Sequence, residues 1–229
     1  MVDSRQRYKP HGLSKVLTGC ALTTAIYAAT ALANTPPPVV DESISQSDVS
    51  WRAPARPSSG MRMGGFRITF EETTLAQVMN ATGLGTIQQH GDAAEHVLWL
   101  CYTAVTNGNT SRLWIESSGE MGGPEHDITE IGVQLVAKGP APPDCPVVPQ
   151  KFTKLSFDKG LWLGAPEDTV RKTFPVGLLQ SGAHAFVGYD GKLPDDGKCR
   201  DGYDLLNSMY LTFEAGIVVA INAGQVTSC

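Results

Sequence analysis

A cluster of imidazole and carboxylate groups is where chemistry is most concentrated in this sequence. Its members are His90, Asp92, His96, Glu120, Glu125, His126 and Asp127. Imidazole nitrogens and carboxylate oxygens are ligands that Zn²⁺ and other transition metals use in proteins. The six-residue spacing of His90 and His96 fits neither one helical face nor one regular strand, because Gly91 interrupts the run. We therefore expect a polar turn here. A metal-dependent enzyme that uses His90, Asp92, His96 and His126 is kept as the alternative.

The hydroxyl and thiol groups of the chain form no recognisable nucleophile motif. Hydrolysis by covalent catalysis requires an activated Ser, Thr or Cys beside a base. No Gly-x-Ser-x-Gly elbow occurs, and nothing in the spacing of Ser117, Ser118 and His126 specifies a catalytic triad. A Gly-Lys-Ser/Thr phosphate loop is also absent. The sequence therefore predicts neither a cofactor nor a bound metal. It favours a binding role over catalysis, with a small hydrolase as the alternative.

The segment 119–125 is rich in turn-forming residues and, with His126 and Asp127 after it, is the predicted binding edge. Its glycines and proline indicate an exposed connection, and exposed connections often carry function. An exposed methionine between glycines offers a flexible apolar contact beside an aromatic and several charged groups. The candidate binding residues are Trp114, Glu116, Glu120, Met121 and His126.

The first 33 residues have the order of parts of a secretory signal peptide. Four basic residues precede or flank a stretch, 16–32, that carries no charge, and small residues occupy 31 and 33. We predict cleavage after Ala33 and a periplasmic or secreted protein. The apolar stretch has 17 residues, fewer than the ~20 of a membrane-spanning helix, so no span is expected in the mature chain. The run Leu-Thr-Gly-Cys at 17–20 leaves open whether Cys20 is lipidated.

Four cysteines follow the predicted signal: Cys101, Cys145, Cys199 and Cys229. An even number in an oxidising compartment predicts two disulfides, and three pairings are possible. We favour Cys101 with Cys145 and Cys199 with Cys229, because each pair then lies within one half of the chain.

The charge balance argues against nucleic acid as a partner. The full chain has a net charge of −5, and removal of the signal takes away more basic than acidic residues. The acidic residues are scattered, which is typical of a solvated surface. We expect the partner to be another envelope or secreted protein.

Composition divides the mature chain into four parts. Residues 34–65 are rich in Pro and Ser and are predicted to form a disordered arm. Residues 138–150 contain five prolines and are predicted to be a linker, because neither a helix nor a central strand accepts them. Between and after these lie two segments, 66–137 and 151–229.

The two segments share a pattern of elements. Each opens with a short alternating strand, continues with a short amphipathic helix, and ends with three strand-like runs. Thr73 or Thr74 is expected to begin the first helix and Gly83 to end it, whereas Pro166 begins the second. We therefore predict an α+β fold of two tandem modules, each a short helix packed on a three- or four-stranded antiparallel sheet.

The second segment resembles a known group of envelope proteins. The run 160–170, Gly-Leu-Trp-Leu-Gly-Ala-Pro-Glu-Asp-Thr-Val, and the later run 213–218, Phe-Glu-Ala-Gly-Ile-Val, are similar in order to motifs of SmpA/OmlA-type outer-membrane lipoproteins. Tandem β-lactamase inhibitor proteins share that pattern of helix and strands. The resemblance implies a non-enzymatic module that binds another protein, in envelope assembly or as an inhibitor.

Overall fold

Eleven strands and two short helices make up the described part of the protein. The computed structural model describes residues 35–38, 51–92, 96–106, 108–193, 199 and 202–229. In chain order the elements are β1 (Gly60–Met63), β2 (Phe66–Thr69), α1 (Leu75–Thr82), β3 (Gln88–His90), β4 (Val97–Thr106), β5 (Asn109–Ser118), β6 (Glu130–Val136), β7 (Leu155–Phe157), α2 (Glu167–Thr173), β8 (Leu178–Ser181), β9 (His184–Leu193), β10 (Tyr203–Glu214) and β11 (Ile217–Ser228). Short 3₁₀ turns lie at Gly119–Gly122, Gln150–Phe152 and Asp158–Gly160.

The strands form two antiparallel sheets. Eight of them lie in the order β3-β4-β5-β6-β11-β10-β9-β8, and the other three in the order β2-β1-β7. Each half of the chain supplies four neighbouring strands to the large sheet, and β6 pairs with β11 where the halves meet. The large sheet is therefore continuous from one half of the chain to the other.

The predicted fold of two tandem helix-plus-sheet modules is wrong. Ile131 and Val133 of β6 lie opposite Ala223 and Ile221 of β11, so the two groups of strands share one ladder. In separate modules both strands would expose unpaired backbone N–H and C=O groups along an edge, and their pairing satisfies those groups. Strand alternation in the sequence predicts a strand but does not specify its neighbour.

Part of the predicted arm belongs to the small sheet. β1 falls within residues 34–65, and its side chains Met61 and Met63 are fully buried. β1 pairs with β2 on one side and with β7 on the other, so the two halves of the chain also meet in the small sheet. Residues 34 and 39–50 of the predicted arm lie outside the described residues, as do residues 1–33, the predicted signal.

The helix boundaries agree with the sequence signals. Thr74 caps α1 by accepting the N–H of Gln77, whose side chain accepts the N–H of Thr74 in return, which is a capping box. Gly83 ends α1 with a left-handed φ of 69°. Pro166 precedes α2, whose first turn carries two acidic residues at its positive end.

One core lies between the large sheet and the helices. In β10 the buried side chains Leu205, Met209 and Leu211 alternate with more exposed neighbours, as expected for a strand with one face in a core. This face packs against Leu75 and Val78 of α1, Val170 of α2 and the small sheet. We call the opposite side of the eight-stranded sheet the outer face; among its side chains are Trp99, Trp114, Glu116, Glu130, Phe186, Tyr210 and Asn222.

No helix in the described ranges is long and apolar enough to span a membrane.

Candidate functional site

Two tryptophans of the outer face bind the same carbonyl group. Trp99 on β4 and Trp114 on β5 each donate an indole Nε1–H to the backbone oxygen of Thr35, over 3.2 and 3.1 Å. Both rings are almost completely buried, with 1% and 4% of their surface exposed. They belong to a small apolar cluster with Cys101 and Cys145 that is separate from the main core.

Asp144 completes this arrangement from the other side of Thr35. Its carboxylate accepts hydrogen bonds from the backbone N–H of Thr35 and from the Thr35 hydroxyl, the latter at 3.0 Å. The neighbouring disulfide Cys101–Cys145, with a Cα–Cα distance of 4.6 Å, ties this part of the predicted linker to β4. We call Trp99, Trp114 and Asp144 the Thr35 seat. The predicted pairing of Cys101 with Cys145 is confirmed.

The second predicted disulfide, between Cys199 and Cys229, is not formed. The thiol of Cys199 is buried and donates to the carbonyl oxygen of Gly202 at 2.9 Å, whereas Cys229 is exposed at the end of β11. Cys199 contacts Gly202 just before β10, and Cys229 follows β11, whose Ser228 pairs with Asp204 of β10.

Two carboxyl groups lie side by side in the middle of the outer face. Glu116 on β5 is directly opposite Glu130 on β6. Burial raises the pKa of Glu116 well above its usual range, and repulsion from Glu130 raises it further. Burial also raises the pKa of Glu130, although the amide of Asn222 donates to Glu130 Oε1 at 2.5 Å and opposes that increase. Glu116 Oε1 is buried and has no hydrogen-bond partner among the described residues.

An apolar hollow lies further along the outer face, over β10 and β11. Its cavity measures about 240 Å³ and is lined in part by Trp51, Leu206, Tyr210 and Val226. We call these four residues the outer-face patch. Trp51 is 36% exposed and Leu206 37%, which is high for large apolar side chains. Phe186 lies under the patch, with its ring centroid 5.5 Å from that of Trp51 and 4.6 Å from that of Tyr210.

A second hollow of similar volume, about 240 Å³, lies beside the first on the same face. Tyr210 and Asn222 contribute to both, so the two hollows are adjacent. Pro38 lines the second hollow, three residues beyond Thr35. The Thr35 seat, the carboxyl pair and the outer-face patch therefore share one surface.

The structure divides the predicted binding residues between two sides of the sheet. Trp114 and Glu116 lie on the outer face. The turn that carries His126 is bonded to the start of α1 on the core side, because the N–H of Leu75 donates to the His126 carbonyl at 3.1 Å. Met121 is exposed in the adjoining 3₁₀ turn. The side chain of Glu120 lies outside the described part of the molecule.

The histidines of the alternative metal hypothesis do not converge on a ligand set in the described ranges. His90 and Asp92 are exposed at the end of β3, and the His96 ring contacts Gln89 at 3.4 Å. His126 lies in the turn beside α1. No group of three or more His, Cys, Asp or Glu side chains among the described residues is placed to hold a metal ion.

Several residues at the outer face were not among the predicted binding residues: Thr35, Trp51, Asp144, Glu130, Leu206 and Asn222. One signal was present for Glu130, which is the one charged residue in the strand-like run at 128–136. A charge at such a position is rare unless it has a partner. For Thr35 and Asp144 no local signal exists, because they are 109 residues apart in the chain.

Comparison with known proteins identifies no relative: no protein-family model matches this chain, and neither a curated protein nor a solved structure is detectably similar to it.

Proposed function

We propose that this protein is an exported, non-enzymatic module that binds another envelope or secreted protein through the outer face of its large sheet. The observation that carries the proposal is the outer-face patch, where Trp51 and Leu206 remain more than one third exposed over a concave surface. Soluble domains normally bury such side chains, and an exposed apolar hollow is typical of an interaction site.

The composition of the patch supports a protein partner. Trp51, Leu206, Tyr210 and Val226 line the hollow together with polar side chains that include Glu130, Ser208 and Asn222. Protein interfaces combine apolar and polar groups in this way, and Trp and Tyr are enriched among the residues that contribute most to binding. The hollows, at about 240 Å³ each, are smaller than the roughly 300–1,000 Å³ of small-molecule pockets.

Export rests on the predicted signal peptide, and the Cys101–Cys145 disulfide is consistent with an oxidising compartment. The motif similarity to SmpA/OmlA-type lipoproteins points the same way, since it implies a protein partner. For the metal-dependent alternative, the described side chains include no group of three or more His, Cys, Asp or Glu that could hold a metal ion.

Site-specific photo-crosslinking in cells that export the protein tests this proposal. A photoreactive residue at Leu206 is expected to give a discrete crosslinked protein. The same residue at Val176, an equally apolar and more exposed position at 57%, is the matched control and is expected to give none. A charged variant, Leu206→Arg, should reduce crosslinking from a probe at Tyr210 by at least tenfold, which corresponds to about 1.4 kcal/mol of binding free energy. Equal crosslinking from Leu206 and Val176, or none from Leu206, contradicts the proposal.

A further inference from the structure

The Thr35 seat holds a segment that begins two residues after the predicted signal-cleavage site. We propose that the seat is the binding site for the chain's own mature amino terminus, with Asp144 as the acceptor of the terminal ammonium group. This inference goes beyond the proposed function, because the ligand is part of the chain itself. It rests on predicted cleavage after Ala33, a position outside the described residues.

The two indole donors are the first reason to regard the Thr35 seat as a specific binding site. Trp99 and Trp114 are buried, and each has a single N–H donor that must find an acceptor. A carbonyl oxygen has two lone pairs, so the Thr35 oxygen satisfies both donors at once. Without Thr35 both buried donors would lose this acceptor, which is unfavourable because a buried N–H without a partner has lost its hydrogen bonds to water.

The residues that follow Thr35 suit a bound extended segment. Pro36, Pro37 and Pro38 have no backbone N–H, so they bring no donor that needs a partner on the sheet. Consecutive prolines also favour an extended conformation before binding, which lowers the entropy lost when the segment is ordered. Pro38 lines the hollow over the central strands, so the segment continues across the outer face.

Asp144 gives the seat its preference for a chain end. Its carboxylate already accepts both the N–H and the hydroxyl of Thr35. After cleavage behind Ala33, the terminal nitrogen belongs to the residue directly before Thr35. Covalent geometry holds the nitrogens of adjacent residues within about 3.7 Å of each other. In this proposal the ammonium group and the Asp144 carboxylate interact as opposite charges, an interaction that is strong over roughly 4–6 Å. The uncleaved chain has a neutral amide at this position.

The Cys101–Cys145 disulfide, which forms in an oxidising compartment, holds Asp144 in position. Asp144 is adjacent to Cys145, and the side chain of Gln88 donates to the Asp144 carbonyl at 3.2 Å. The bond therefore holds the carboxylate beside β4. Both events that complete the seat, signal cleavage and disulfide formation, belong to an exported protein.

The test measures the pKa of the terminal amine in the mature chain, residues 34–229. The amine is converted to a ¹³C-labelled dimethylamine and followed by NMR as the pH is changed. An unperturbed α-amino group titrates near 7.7–8.0. We expect a higher pKa in the parent chain, and a decrease of about 0.5 or more in Asp144→Asn, because the opposite charge is lost. Asp168→Asn, which removes an exposed carboxylate on α2, is the matched control and should leave the value unchanged.

Two further measurements keep the result interpretable. A chain that retains residues 32 and 33 places its amine two residues further away, so its pKa should not respond to Asp144→Asn. Hydrogen exchange of the indole N–H groups reports the seat itself: Trp99 and Trp114 should exchange more slowly than the exposed Trp51. The proposal is overturned if Asp144→Asn and Asp168→Asn have the same effect, or if the extended chain responds to Asp144→Asn as the mature chain does. None of these measurements involves an external partner, so failure here is separate from failure of the proposed function.

Discussion

Glu116 and Glu130 lie directly opposite each other on neighbouring strands of the outer face, and both carboxyl groups are largely removed from water. Like charges opposite each other across a sheet are destabilising. Burial raises both pKa values, and repulsion from Glu130 raises that of Glu116 further, so the folded protein holds protons that the unfolded chain releases. The stability that this pair contributes is therefore complete below the unfolded pKa near 4.5 and is lost as the pH rises through the folded values.

Glu116→Gln should stabilise the protein at neutral pH. The amide carries no charge, and it can donate to the Glu130 carboxylate across the strand pair. We expect the free energy of unfolding at pH 7 to increase by about 1–3 kcal/mol, the usual cost of a buried polar group without a partner. The decrease in stability between pH 5 and pH 8 should become smaller. Urea unfolding at several pH values measures both effects. Exposed Glu214→Gln serves as the control, and a destabilised Glu116→Gln protein would contradict the prediction.

The stability that Asp158 contributes should have the opposite dependence on pH. Burial raises its pKa, but hydrogen bonds from Arg67 and Ser59 and the charge of Arg67 outweigh burial and lower it. The Arg67 ion pair measures 2.8 Å and the bond from the Ser59 N–H 2.7 Å. A lowered pKa contributes stability above the unfolded value near 3.8, and that stability is lost as the pH falls through the folded value.

Asp158→Asn is therefore expected to destabilise the protein at pH 7 by about 1 kcal/mol, a modest amount because the pair is partly exposed. The difference from the parent chain should disappear in acid, where both proteins carry a neutral group at this position. Urea unfolding at pH 7 and below pH 3 provides the comparison. Asp190→Asn alters an exposed carboxylate on β9 and should change neither value. A loss that persists unchanged in acid would show that the charge is not responsible.

Structural features that have a local cause were predictable from the sequence. The capping box at Thr74 and the left-handed Gly83 depend on residues a few positions apart, and both helix boundaries were predicted. The long strands were predicted in part: alternating apolar and polar residues indicated 208–214 of β10, but not the first five residues of that strand. The register of a strand and the identity of its neighbouring strands cannot be predicted in this way, because they depend on contacts between distant parts of the chain.

The contacts in the large sheet and on its outer face could not be predicted from local sequence. Glu116 and Glu130 meet only because β5 and β6 pair in one particular register. The same holds for β6 and β11, whose pairing overturned the two-module fold. Thr35 and Asp144 are 109 residues apart, and nothing near either residue indicates the other. The predicted residues Trp114 and Glu116 do lie on the outer face, but the partners that define their environment came from the structure.

Removal of the Cys101–Cys145 disulfide should weaken the fold and the Thr35 seat together. The double variant Cys101→Ser with Cys145→Ser opens a loop of 44 residues. The chain-entropy relation gives a loss of about 4 kcal/mol for a loop of this size. Urea unfolding measures the loss, and faster hydrogen exchange of the Trp99 and Trp114 indoles should accompany it. Cys229→Ser changes an exposed thiol and is the control. Unchanged indole exchange in the double variant would mean that the disulfide does not hold Asp144 in place.

Glu71 should stabilise the end of β11. Its backbone has a φ of 58°, an uncommon value for a residue other than glycine. The carboxylate accepts the backbone N–H of Thr227 at 2.7 Å, the Thr227 hydroxyl, and the amide of Gln225 at 2.8 Å. Glu71→Gln replaces one acceptor oxygen with an NH₂ group that faces other donors, so we expect a loss of about 1–3 kcal/mol.

The adjacent residue provides a close control for that change. Glu72 is exposed, so Glu72→Gln makes the same chemical substitution one position away and should leave the free energy of unfolding nearly unchanged. Hydrogen exchange at the Thr227 amide gives a local measurement, because this N–H donates to the Glu71 carboxylate. Exchange should be faster in Glu71→Gln than in Glu72→Gln. Equal exchange rates together with equal stability would rule out a structural role for the Glu71 carboxylate.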